Sequence, residues 1–201
     1  MASTTRVRPG RVSLMRTAIG LMGERGYEGT STRDIASAAG VSVAALYYHF
    51  PSKQDLLREF LHEAHDVVLV RLERRLEEVG DDPRGRLDAA VETIIASNMH
   101  DEWAQRAAQV AWREIGRLEP PDQRAIAEKR EAMVDLIAQV VADLGSPEPR
   151  EVARAVLTLC ITVVDPISGA SGPMDEVIEL HQRFALALVE TPAKAKRARK
   201  R

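Results

Sequence analysis

Thr32–Lys53 reads TRDIASAAGVSVAALYYHFPSK, and this stretch decides the fold. Thr32 is placed to cap a short helix running through Ala39, with Ile35, Ala36 and Ala39 on its inner face. Gly40 supplies a backbone position where a positive φ costs nothing, and Val41 is the apolar plug of the turn. Ser42 can cap a second short helix, Val43 to His49, which Phe50-Pro51 breaks. Ala36 is small enough to let the two helices cross closely, while Val41 and Leu46 bury beneath both and Phe50 is core. Two short helices around a glycine turn make a helix-turn-helix, and the second is short enough to enter a major groove.

Outward from this motif the chain continues as helix after helix. A first helix is predicted from about Val12 to Arg25, closed by Gly26. Ser52 opens a long one, Lys53 to Val79, with Leu56, Leu57, Phe60, Leu61, Ala64, Val68 and Leu72 as its apolar stripe. Asp82-Pro83 starts the next, towards His100, and Asp101 another, through Leu118. Pro120-Pro121 precedes a long helix ended by Gly145. Residues 150–164 are strongly apolar, Asp165 to Pro173 reads as a loop, and a last helix runs from Met174 to Glu190. Val, Ile and Thr never fall into alternating short runs, so the fold class is all-α, with about nine helices. The expected organisation is a helix-turn-helix DNA-binding domain over residues 1–52, a larger helical domain over 53–190, and a disordered basic tail over 191–201.

Composition sets the outer limits. A chain of 201 residues holds one large domain or two small ones, and a 45% hydrophobic share predicts a buried core. The net charge of -2 hides an asymmetry. Residues 1–55 carry a balance of +3, residues 56–193 a balance of -11, and the tail +6. Basic ends of this kind point to nucleic acid or a membrane surface. The tail has two readings, phosphate contact or solubility. Cys160, alone in the sequence, excludes an internal disulfide and fits a reducing compartment. The polar, basic N-terminus is not a signal peptide and no run suits a membrane span, so a cytoplasmic protein with no membrane partner is expected.

The chemistry is concentrated around the helix-turn-helix. Half of the aromatic residues, Tyr27, Tyr47, Tyr48 and Phe50, lie there. Ser42, Tyr48 and His49 can each reach a phosphate, and Tyr47 either a phosphate or a thymine methyl unless it is half core. Lys53 opens a helix whose amides and dipole already favour an anion. Elsewhere, His62 and His65 share a helix face beside Asp66 and read either as solvated or core histidines or as part of the metal site of a small helical enzyme, for which two ligands on one helix are weak evidence. No metal or cofactor is expected, and the absence of a phosphate loop, metal cluster or nucleophile elbow argues against an enzyme. Cys160 reads as a small buried hydrophobe. Met99, His100, Trp103, Val110, Trp112, Ile115, Met133 and Ile137 read either as bundle core or as the lining of an apolar cavity. Met99, Trp103, Trp112, Met133 and Ile137 are the candidates for a small-molecule effector.

Gly26-Tyr27-Glu28-Gly29-Thr30-Ser31-Thr32-Arg33-Asp34-Ile35-Ala36, then Ala39-Gly40-Val41-Ser42, then Leu46-Tyr47-Tyr48-His49-Phe50-Pro51-Ser52-Lys53-Gln54-Asp55-Leu56-Leu57 closely resemble the DNA-binding domain of TetR-family transcriptional repressors. The resemblance covers about Arg11 to Leu57. It implies three N-terminal helices on DNA, a fourth linking helix, and a helical ligand-binding and dimerisation domain. Its DNA-contact positions fall on Thr32, Arg33, Ser42, Val43, Ala44, Tyr47, Tyr48, His49 and Lys53 of this chain. One departure is that positions 43 to 45 are Val, Ala and Ala, so base hydrogen bonds from this helix are sparse. Thymine methyls, Arg33 and DNA shape then carry more of the specificity, unless Arg33 pairs with a neighbouring carboxylate.

The resemblance also implies a homodimer through residues 150–190, a palindromic double-stranded DNA operator and a small, hydrophobic effector. Val156, Leu159, Val163, Ile178, Phe184 and Leu188 are expected between the copies. An effector that displaces the fourth helix would widen the separation of the reading heads and release DNA by linkage. The competing reading is a helical module that docks a protein and does not bind DNA.

Overall fold

The computed structural model describes residues 10–165 and 172–191. Most of the loop expected at Asp165–Pro173 and nearly all of the basic tail lie outside the described residues. Every regular element among the described residues is helical: α1 Arg11–Arg25, α2 Thr32–Ala38, α3 Val43–His49, α4 Lys53–Val79, α5 Pro83–Met99, α6 Glu102–Arg113, α7 Pro120–Asp143, α8 Pro149–Ile161 and α9 Met174–Glu190. Short 3-10 turns follow α6 at Ile115–Arg117 and α8 at Thr162–Val164.

Two boundaries differ from the sequence reading. Ser31, not Thr32, caps α2: its backbone is extended and its hydroxyl accepts the Asp34 amide, which places Thr32 inside the first turn. The helix expected to reach Leu118 stops at Arg113. Glu114 leaves helical geometry (φ -100, ψ 3), and the tighter 3-10 turn carries Leu118 into the core, where it is buried.

The chain divides into two compact units, residues 1–65 with 101–126 and residues 66–100 with 127–201. The first contains α1 to α3, the start of α4, α6 with its 3-10 turn, and the start of α7. Its core joins Leu14, Ile19 and Met22 of α1 to Ile35, Leu46 and Phe50 of the motif, Leu57 and Leu61 of α4, and Val110, Leu118 and Ile126. α6 lies hard against α1. Trp103 Nε1 donates to the Arg16 carbonyl at 3.1 Å, and the Arg16 guanidinium sits 4.0 Å over the same indole. Arg106 pairs with Glu24.

In the second unit α5 packs against α8 and α9, and α8 against α9. Ile94, Ile95, Ile137, Val141, Val156, Leu157, Cys160 and Val177 are among its buried residues. This packing changes the set expected between copies. Val156, Val163 and Ile178 are buried within the unit's own core, because α8 and α9 turn those faces inward. Leu159 and Leu188 are half-buried, and Phe184 is 46% exposed.

Gly23 permits the close approach of α1 and α6. A Cβ there would lie 2.7 Å from Cβ of Arg106 and 3.3 Å from its Cα, atoms that no side-chain rotation can move away. Gly to Ala inside a helix normally gains about 1 kcal/mol. Overpacking costs about 1–3 kcal/mol, so the clash is the larger effect here. Gly23→Ala is therefore expected to lower the thermal unfolding midpoint, and a midpoint equal to or above the parent's would contradict this packing.

Candidate nucleic-acid interface

The helix-turn-helix is built from local hydrogen bonds. Ser31 and Asp34 form a reciprocal capping box: the Asp34 amide donates to Ser31 Oγ at 3.1 Å, and the Ser31 amide to Asp34 Oδ2 at 2.9 Å. The far end of α2 closes with the Gly40 amide on the Ser37 carbonyl at 3.1 Å and the Val41 amide on Ala36 at 2.9 Å. That pair is a Schellman closure, and it requires the positive φ of 68° at Gly40. Ser42 Oγ then accepts the Ala45 amide at 3.1 Å to start α3. The Ser42 hydroxyl keeps its own hydrogen for another acceptor.

α3 has two unlike faces. Leu46 is buried in the core, and Phe50 just beyond the helix joins it. The opposite face presents Ala44, Tyr47 and Tyr48, while Val43 at the start of the helix is half-buried and packs against the core. Tyr48 is 86% exposed. His49 is half-buried, and its ring meets that of Tyr48 edge-on with centroids 5.3 Å apart. Tyr47 is exposed rather than half core, and its hydroxyl lies 3.5 Å from Thr32 Oγ1 at the start of α2. Arg33 is exposed beside it. Thr32, Arg33, Ser42, Val43, Ala44, Tyr47, Tyr48 and His49 thus come from two consecutive short helices.

Lys53 is placed differently. Its Nζ donates to the carbonyls of Tyr27 at 2.9 Å and Thr30 at 3.0 Å, and lies 3.9 Å from the centroid of the Tyr27 ring. Two of its three donors are thereby occupied, and the ammonium braces the turn before α2 against the first turn of α4. Gln54 continues that brace: Tyr27 Oη donates to Gln54 Oε1 at 2.9 Å, and Gln54 Nε2 donates to the Arg117 carbonyl at 2.6 Å. Burial, reinforced by Glu28 and opposed by Arg117, pushes the Tyr27 phenol above its ordinary value. Ser31, Gln54 and Arg117 join this network without having been singled out by the sequence pattern. Only Ser31 had a local signal, the Ser-x-x-Asp spacing of a capping box.

The other candidates are dispersed. Trp103 packs on α1 as described, and Trp112, half a helical turn out of phase with it on α6, is 40% exposed. Both lie in the first unit. Met133 and Ile137 are buried in the second unit, where Met99 is half-buried. His62 Nε2 lies 3.1 Å from Asp122 Oδ1, and His65 is buried with Nδ1 donating to the Leu61 carbonyl at 2.7 Å. No group of three or more potential metal ligands occurs among the described residues. Burial raises the Cys160 thiol to about 12, which keeps it a protonated core group. No described helix is long and apolar enough to cross a membrane.

Residues 14–60 match the family model described as bacterial regulatory proteins, tetR family. The HTH-type transcriptional repressor KstR2 of Rhodococcus jostii (strain RHA1) is 39% identical over 83 residues, which span 41% of this chain and 40% of that protein. Among solved structures, a bacterial regulatory protein in the tetR family from Rhodococcus RHA1 superposes with a TM-score of 0.80 at 21% identity, over 90% of this chain and 97% of that one. AibR, solved in complex with isovaleryl coenzyme A and operator DNA, superposes with a TM-score of 0.75 at 20% identity, over 87% and 96%. These structural likenesses establish the fold.

The capping box gives the site a signature in acid. Hydrogen bonds from the Ser31 side chain, then from its backbone amide, hold the Asp34 carboxyl below its ordinary value. A carboxyl lowered by folding stabilises the protein above its unfolded pKa, and that stability is lost as pH falls through the folded one. Between about pH 6 and about pH 2, the parent is expected to lose more stability than Asp34→Asn, whose amide does not titrate. Parallel unfolding curves for the two across that range would contradict this reading of the cap.

Proposed function

The chain belongs to the TetR family of bacterial regulatory proteins through its N-terminal domain, and from that premise we propose that it is a ligand-responsive transcriptional repressor that binds a palindromic operator as a homodimer. The observation that carries the proposal is the outward face of α3. Its polar ends are satisfied locally, its inner face is core, and a large aromatic at 86% exposure stands on the side left over. Thr32, Arg33, Ser42, Tyr47, Tyr48 and His49 contact phosphates or base edges, and Val43 and Ala44 meet thymine methyls. Lys53 acts on this surface through the turn that it braces.

The dimer forms through residues 150–190, with Phe184, Leu159 and Leu188 as the apolar groups available to a partner copy. Two-fold symmetry sets half-sites about 34–36 Å apart or at a longer spacing. The effector is a small, hydrophobic molecule or an acyl thioester, and within the second unit Met99, Met133 and Ile137 are its candidate contacts. The AibR complex with isovaleryl coenzyme A supports that class. Effector and DNA oppose each other by favouring different conformations. A repressor of this kind acts in the cytoplasm.

Affinity for a duplex selected from random sequences by the full chain tests the DNA face. Tyr48→Ala is expected to weaken binding about tenfold at an unchanged thermal midpoint, the size of one good contact. Its salt dependence stays as steep as the parent's, because a neutral side chain releases no counterion. Arg33→Ala, as a phosphate contact, flattens the slope of log affinity against log salt by about 1. Selection of no duplex by the parent would favour the protein-docking reading.

A further inference from the structure

The exposed face of α3 is held in place by groups far from it in sequence, and they converge on Arg117. The guanidinium of Arg117 pairs with Glu28 in the turn before α2 and with Glu114 at the end of α6. It also lies over the Tyr27 ring, 5.0 Å from the centroid. Its carbonyl accepts Gln54 of α4, and Gln54 in turn accepts the Tyr27 hydroxyl. Tyr27 is thus fixed by Lys53 and Arg117 at its ring and by Gln54 at its hydroxyl.

The turn so held has no slack. A Cβ at Gly29 would lie 2.2 Å from the Arg25 carbonyl, so the turn is pressed on the end of α1. Thr30 is fully buried and donates to the Gly26 carbonyl at 2.9 Å. Directly after it, Ser31 caps α2. A displacement of the turn therefore carries the start of the helix-turn-helix with it. Leu118, next to Arg117, is buried in the same core, which anchors the 3-10 turn.

We propose that Arg117 is a positioning residue for DNA recognition: with the 3-10 turn that carries it, Arg117 locks the Tyr27–Ser31 turn to the first turn of α4 and so sets the orientation of α2 and α3. This rests on the DNA-binding reading. Arg117 touches no DNA in the proposal, since its guanidinium is engaged by the Glu28 and Glu114 carboxylates.

The test compares Arg117→Ala and Arg117→Lys in the full chain. Each is measured on a duplex selected by the parent from random sequences, on an unrelated duplex of the same length, and by thermal unfolding. Arg117→Ala is expected to lower affinity for the selected duplex about tenfold while leaving the unrelated duplex unchanged, because phosphate attraction does not depend on the fine orientation of α3. Arg117→Lys keeps the charge opposite Glu28 but loses the planar fork that also reaches Glu114, so it is expected to recover affinity only in part, to within about threefold of the parent. Unchanged affinity of Arg117→Ala for the selected duplex would overturn the proposal. So would a parallel loss on both duplexes with a lowered midpoint that Arg117→Lys does not restore, which marks a merely structural residue. If the parent selects no duplex, the DNA-binding reading fails and takes this inference with it. A parent that selects one, with insensitive variants, overturns this inference alone.

Discussion

A helix of seven residues cannot stand by itself in water, because its nucleation cost is not recovered over so short a run. α2 and α3 are both of that length. They persist because each begins on a serine cap and lays one apolar face on a shared core. Ile35, Leu46 and Phe50 are almost fully buried, and the Gly40 turn orients the two helices so that all three meet. This constraint produces the functional surface. With the inner faces committed to the core and the helix ends satisfied locally, Arg33, Ala44, Tyr47 and Tyr48 are the exposed groups that remain to meet a partner.

How much of this was legible in the sequence follows from how local each cause is. The ends of α3, α4, α5 and α7 could be read from Ser42, Ser52, Asp82-Pro83 and Pro120, since capping is decided within a few residues. Ser31 and Thr32 are adjacent cap candidates, and the choice turned on Asp34 three residues after Ser31. Lys53 could not be read. As a lysine at a helix start it suits an anion, yet two carbonyls of a turn more than twenty residues earlier hold its ammonium. Periodicity gathered Val156, Val163 and Ile178 on apolar faces without saying what covers them, and the cover is the unit's own core.

The membership of α6 is the least local feature. Gly20, Gly23 and Trp103 carry no sequence signal for a helix pair, but Gly23 gives Arg106 room at van der Waals distance, and Trp103 reaches the Arg16 carbonyl. α6 and its 3-10 turn therefore belong to the same compact unit as the helix-turn-helix. The sequence reading placed the lever of effector response on the fourth helix. The contacts of Trp103, Arg106 and Arg117 give the proposed linkage a second connection to α2 and α3, through α6.

Amide hydrogen exchange of the full chain, with and without a duplex that it selects from random sequences, tests the central claim most directly. The account predicts slowed exchange on binding in α2, the Gly40 turn, α3 and the first turn of α4, with α7 to α9 unchanged by the contact itself. Slowed exchange centred on the second unit while α3 exchanges as in the free protein would contradict it.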